Sequence, residues 1–219
     1  MYFCILLNKV RSNNRISLSA PMDEKTPNET TLLGIDPGTN LLGYGVITIR
    51  GGKASLHTMG VIDLRKCKDT YVKLGRIFER VSGLIRSFKP TEMAVESPFF
   101  GKNVQSMLKL GRAQGVAIAA AVSNGVSVHE YAPTKIKMAL TGNGSASKQQ
   151  VSTMLQKIFL LDADAMVPYL DATDALAAAY CHFLQRGSLR TERQYSNWSD
   201  FVKKNAVRVH SRNLNAAKE

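Results

Sequence analysis

Thr31-Leu32-Leu33-Gly34-Ile35-Asp36-Pro37-Gly38-Thr39-Asn40 is a short apolar run that ends on an acid and a turn. Leu32, Leu33 and Ile35 suit the interior of a buried strand. Pro37 has no N–H for a sheet ladder and Gly38 tolerates positive φ, so the strand stops there. Asp36 is left at the strand end, between the core and a cleft. A carboxylate there is costly unless something positive meets it. Two readings stand at this point: Asp36 caps its own turn, or it serves a site.

Working outward, the pattern repeats. Gly43 to Arg50 and Ser55 to Asp63 predict a second and third strand, joined at Gly51-Gly52, a hairpin signal. Thr70 to Phe88 carries apolar residues at spacings of three and four and predicts a helix, closed by Pro90. Met93-Ala94-Val95 is a short strand that again ends on an acid, Glu96, with Pro98 following. Asn103 to Ser123 predicts a long helix rich in Ala and Gly, a candidate for close packing or a subunit interface. Val126 to Tyr131 predicts a fifth strand, parallel because a helix precedes it. Further helices are expected over Pro133 to Leu140, Lys148 to Phe159 and Asp171 to Gln185, with a loop at Asp162 to Tyr169.

The 219 residues suit one domain with loose ends. Residues 1–31 are expected to be a disordered extension, with Met22 a plausible true start. Residues 187–219 are expected to be a largely disordered basic tail with a marginal helix near Trp198 to Val202. From Arg186 onward there are eight Lys or Arg against three acids, so most of the net charge of +12 lies elsewhere. Such a charge implies an anionic partner, nucleic acid being the commonest. No apolar run approaches the roughly 20 residues a spanning helix needs, so no membrane partner is expected. Cys4, Cys67 and Cys181 have no metal spacing and suit free thiols. The four histidines are scattered, and nothing in the sequence near His182 completes a zinc set.

Four acids therefore hold comparable positions. Asp36 and Glu96 end two strands, and Asp171 and Asp174 share one face at the start of the last helix. The first and fourth strands can be neighbours, with their C-terminal ends in one cleft. Converging carboxylates raise one another's pKa and need cations. Oxygen ligands select hard ions such as Mg²⁺ or Mn²⁺. Two such ions about 4 Å apart can clamp a phosphodiester in line. The plainer reading of Asp171 and Asp174 is helix capping and dipole complementation.

Gly34-Ile35-Asp36-Pro37-Gly38, Ala94-Val95-Glu96, Lys109 to Val116 and Asp171-Ala172-Thr173-Asp174-Ala175-Leu176-Ala177 occur in that order, and the set resembles the RuvC family of Holliday junction resolvases. The resemblance spans about Leu32 to Gln185. It implies an α/β, ribonuclease H-like domain over residues 32–186, a five-stranded mixed sheet flanked by helices. It implies an endodeoxyribonuclease of the bacterial cytoplasm that resolves four-way DNA junctions in recombination and repair. Asp36, Glu96, Asp171 and Asp174 are then its catalytic acids, holding two Mg²⁺, with Mn²⁺ as a substitute. Lys148 and Lys137 match family lysines near the scissile phosphate, Lys148 with a catalytic role. Phe99 matches an aromatic that stacks on the DNA, a contact worth about 1–3 kcal/mol per base. The two-fold symmetry of a junction calls for a homodimer, and the family works with a branch-migration motor of the RuvA and RuvB type. Two other readings remain: a phosphate loop of actin-like sugar kinases at Gly34 to Thr39, and a junction-binding module without catalysis.

Overall fold

The computed structural model describes residues 29–97, 103–161 and 170–192. Five strands, β1 (Thr30–Asp36), β2 (Leu41–Arg50), β3 (Lys53–Asp63), β4 (Glu92–Glu96) and β5 (Ser127–Tyr131), form one sheet in the order β3-β2-β1-β4-β5. β1 to β3 make an antiparallel meander, whereas β1–β4 and β4–β5 are parallel. This is the expected mixed sheet of the ribonuclease H-like fold, with β1 at its centre.

Several boundaries differ from the sequence reading, three strand starts among them. β1 begins at Thr30, inside the expected N-terminal extension. β2 and β3 begin at Leu41 and Lys53, ahead of Gly43 and Ser55. Arg50 pairs directly with Lys53 around Gly51-Gly52, whose φ values of 56° and 76° suit the tight turn. Thr30 and Lys53 are polar, so an apolar pattern does not reveal their backbone pairing, whereas at β2 the apolar Leu41 and Leu42 simply extend the strand beyond the expected start.

The helices are α1 (Thr70–Phe88), α2 (Val104–Ser123), α3 (Pro133–Thr141), α4 (Lys148–Phe159) and α5 (Leu170–Glu192). Three of the starts carry a side-chain cap. The Asp69 carboxylate accepts from the N–H groups of Tyr71 and Val72, and Asn103 Oδ1 accepts from Ser106. Ser147 and Gln150 form a capping box at α4. α1 ends at Lys89, left-handed at φ 46°, just before Pro90. α5 runs to Glu192, past the expected end at Gln185 and into the expected tail. Gly187 marks a break in the sequence pattern, yet one glycine costs a helix only about 1 kcal/mol relative to Ala.

Strand alternation sorts the core into two layers. Leu33, Ile35, Met93 and Val95 face α1 and α2, packing with Ile77, Val81, Ala113, Ala117 and Ala121. Leu32, Ala94 and Tyr131 face the other way, packing with Ile136 of α3, Leu155 of α4 and Leu176 and Ala179 of α5. Each large apolar side chain fully buried in this way stabilises the fold by roughly 1.5–3 kcal/mol. The alanines of α2 thus belong to the core. A separate stripe on the same helix, Val104, Leu108, Gly111, Gly115 and Val122, is exposed. The chain divides into compact units Met1–Phe183 and Leu184–Glu219, the second described here only as helix to Glu192.

Candidate active site

Asp36 is the last residue of β1 and alternates onto the α5 side with Leu32 and Gly34. The parallel register pairs Ile35 with Val95, so one further step sets Asp36 beside Glu96. Both acids therefore stand at the C-terminal edge of adjacent central strands.

Asp171 and Asp174 reach the same place because the sheet is stripped to glycine beneath α5. A methyl group at Gly43 would collide with the Asp171 carbonyl oxygen, and one at Gly34 with that of Ala175. At Gly45 a Cβ would stand 2.7 Å from the Leu176 Cα. The helix backbone lies directly on β1 and β2, which lowers its first turns to the strand ends. The sequence reading missed this role, although glycine inside a strand is a signal for close backbone approach.

The electrostatics of the two strand-end acids follow from this placement. Asp36 is pushed up to about 8, first by burial and then by the charges of Glu96, Asp174 and Asp171, with Lys148 pulling the other way. Glu96 rises to about 7, again through burial first and Asp174 second, opposed by Lys148 and Lys137. Asp36 thus feels Glu96, Asp174, Asp171 and Lys148, and Glu96 feels Asp174, Lys148 and Lys137. Lys148 Nζ lies 2.5 Å from Asp174 Oδ2. Burial pulls the Lys148 amine down, but its bond to Asp174 and the charges of Asp174, Asp36 and Asp171 outweigh that and hold it above its usual value. As the first residue of α4, Lys148 also faces the positive end of the helix dipole. The acids offset that unfavourable placement.

The turn after Asp36 is held from two sides. The Leu64 N–H donates to the Asn40 carbonyl at 2.8 Å. Lys73 Nζ of α1 donates to the Thr39 carbonyl at 3.0 Å and to Asn40 Oδ1 at 3.1 Å. Nothing in the local sequence marks Lys73, since its partners are remote in the chain. Phe99, the loop at Asp162 to Tyr169 and the segment Trp198 to Val202 lie outside the described residues.

The sequence expectation that no set forms around His182 needs correction. His182, His129 and Glu92 gather at the opposite end of β4, with ligating atoms all within 4.8 Å of one another. β-sheet register, not sequence spacing, brings them together.

The donor set at the strand ends fits hard divalent cations: oxygen-only, partly desolvated and electrostatically strained without a counter-charge. A β3-β2-β1-β4-β5 sheet with acids at its central edge is the arrangement of ribonuclease H-like nucleases, and that is the class. The family profile described as crossover junction endodeoxyribonuclease RuvC matches residues 32–182. The crossover junction endodeoxyribonuclease RuvC of Bacteroides fragilis is 58% identical over 181 residues, covering 83% of this chain and 96% of that protein. The solved Thermus thermophilus RuvC is 34% identical, with a TM-score of 0.66, covering 73% of this chain and 96% of that one. The same protein in complex with a Holliday junction substrate matches at 32% identity and a TM-score of 0.65, with the same coverage. The chain belongs to the RuvC family of crossover junction endodeoxyribonucleases.

Proposed function

We propose that this enzyme resolves four-way DNA junctions by paired phosphodiester hydrolysis during recombination and repair. What supports the reading is that Asp36 is raised by Glu96, Asp174 and Asp171 and Glu96 by Asp174, with Lys148 paired to Asp174. Two Mg²⁺ ions held by these acids, or Mn²⁺ in their place, would supply a water of lowered pKa and stabilise the leaving 3′-oxygen. The four carboxylates would hold such ions, and loss of the protons on Asp36 and Glu96 would ready them as ligands. Lys148 and Lys137 stand where an incoming phosphate would need positive charge, and Lys148, released from Asp174, stabilises charge on the phosphate oxygens. The product is a 5′-phosphate beside a ligatable 3′-hydroxyl. Phe99 is assigned to base stacking at the junction by family likeness.

Symmetric cuts require two sites, so the working form is a homodimer. The outward stripe of α2 from Val104 to Val122 is the candidate interface, being apolar or small along one helical face. A branch-migration motor of the RuvA and RuvB type and a bacterial cytoplasmic location follow from the family. No described helix is long and apolar enough to cross a membrane.

The test is cleavage of a mobile four-way junction, a plain DNA duplex and an RNA–DNA hybrid, with and without Mg²⁺. Paired nicks in the junction alone, only with metal, are expected. Preferred cleavage of the hybrid, or junction binding without nicks, would refute the reading.

A further inference from the structure

β4 carries a second acid at its start, and α5 carries a buried histidine eight residues beyond Asp174. Glu92 starts β4 on the same face as Glu96, roughly 13 Å away at ~3.3 Å per residue. His129 lies in β5 opposite Ala94, with Tyr131 following on the same face. His182 of α5 is fully buried and meets them from above. Its Nε2 is 2.7 Å from Glu92 Oε2, and its Nδ1 is 2.7 Å from the buried Tyr131 hydroxyl. His129 Nε2 is 3.7 Å from the same carboxylate oxygen, and the two imidazoles stack with centroids 4.3 Å apart.

We propose that Glu92, His129 and His182 bind a divalent transition-metal ion of the zinc class, at a site separate from the four acids. Two imidazoles and one carboxylate suit Zn²⁺ or Co²⁺, whereas Mg²⁺ prefers an all-oxygen set. The distances are close to what such an ion needs. Ligands about 2.0–2.2 Å from a tetrahedral zinc stand roughly 3.4 Å from one another. The 2.7 Å pair must open and the 3.7 Å pair must close, each by well under 1 Å, and the two imidazole nitrogens, within 4.8 Å of each other, must close on the same centre. His129 supplies the movement, because its side chain is 34% exposed and is not locked in the core. Rotation of its ring out of the stack turns its Nε2 towards the shared centre.

The surroundings also resemble those of a metal-ligating histidine. Such a ligand donates its other ring N–H to a fixed acceptor, which sets its tautomer and orientation. Tyr131 holds that place at His182 Nδ1. The Tyr131 hydroxyl, 2.7 Å from that nitrogen, can accept as well as donate. Glu92, 20% exposed, and His129 open one side to solvent, giving the ion an entry path and a water a fourth position. An ion there would tie β4, β5 and α5 together and stabilise the native chain by mass action.

The test is Co²⁺ titration of the full chain in saturating Mg²⁺, which keeps the four acids occupied, followed by visible absorption. One equivalent with a tetrahedral cobalt spectrum, displaced by Zn²⁺, is expected for the natural sequence and for Asp174→Asn. Affinity should fall at least about 100-fold in His129→Ala and in Glu92→Gln, both checked for native circular dichroism. The proposal is overturned if His129→Ala binds Co²⁺ like the natural sequence, or if no equivalent binds above the Mg²⁺ background. It is equally overturned if the spectrum vanishes in Asp174→Asn, which would place the ion among the nuclease acids. Those outcomes leave the junction-cleavage reading untouched.

Discussion

The two faces of the sheet solve different problems. Towards α1 and α2 the strands present Leu33, Ile35 and Val95, and the helices are held off by side-chain volume. Towards α5 the strands present Gly34, Gly43 and Gly45, and the helix backbone descends onto them. The first face provides stability through burial. The second is also packed, but at Gly34, Gly43 and Gly45 it gives up side-chain bulk so that the start of α5 can approach the ends of β1 and β2. The comparison predicts that damage to the apolar packing unfolds the protein, whereas damage to the glycine floor beneath α5 disarms it.

The largest effect should come from the charge set itself. Asp174→Asn is expected to lower junction cleavage by about 10³-fold or more while leaving the fold and junction binding intact, read by nicking and gel-shift assays in parallel. Gly43→Ala should come next. Its methyl forces the α5 start away from β2, so cleavage per folded molecule falls by roughly 10²-fold, the scale expected for about 1 Å of misplacement. Ile77→Ala on the other face should cost about 2–5 kcal/mol in urea denaturation while cleavage per folded molecule stays near normal. If Gly43→Ala and Ile77→Ala gave the same ratio of activity to stability, the contrast between the faces would be lost.

A pH series sharpens the same contrast. Asp36 stands at about 8 in the native state against an ordinary 3.8, and Glu96 at about 7 against 4.5. Between those limits the native chain keeps protons that the unfolded chain has released. Raising the pH from about 4 to 8 therefore favours unfolding at these two groups. Melting temperature in a chelator should fall across that window, and the slope should flatten in Asp36→Asn. The smallest effect is assigned to Lys73→Ala, which frees the Thr39-Asn40 turn and should reduce cleavage several-fold with little change in stability.

The acids were legible in the sequence because each obeys a local rule. Asp36 and Glu96 each close an apolar run just ahead of a proline, and Asp171 and Asp174 share a helical face at i and i+3. The lysine of the α4 start was legible through family likeness, and the structure explains it by the capping box that fixes its position. What stayed hidden depends on register. Gly43 matters only because β2 runs antiparallel to β1 beneath α5. Lys73 matters only because α1 passes the turn after Asp36. Glu92, His129 and His182 lie on three elements, so no spacing rule links them. The small-residue run of α2 gave an ambiguous signal because it contains two faces, one of buried alanines and one of exposed glycines with Val104 and Leu108.

The central claim is that acids from two strand ends and one helix start form a single divalent-metal site. Anomalous diffraction from crystals grown with Mn²⁺ tests it most directly. Two manganese peaks bounded by Asp36, Glu96, Asp171 and Asp174 are predicted, with Lys148 drawn away from Asp174. A well-ordered crystal with no manganese between those four carboxylates would contradict the account.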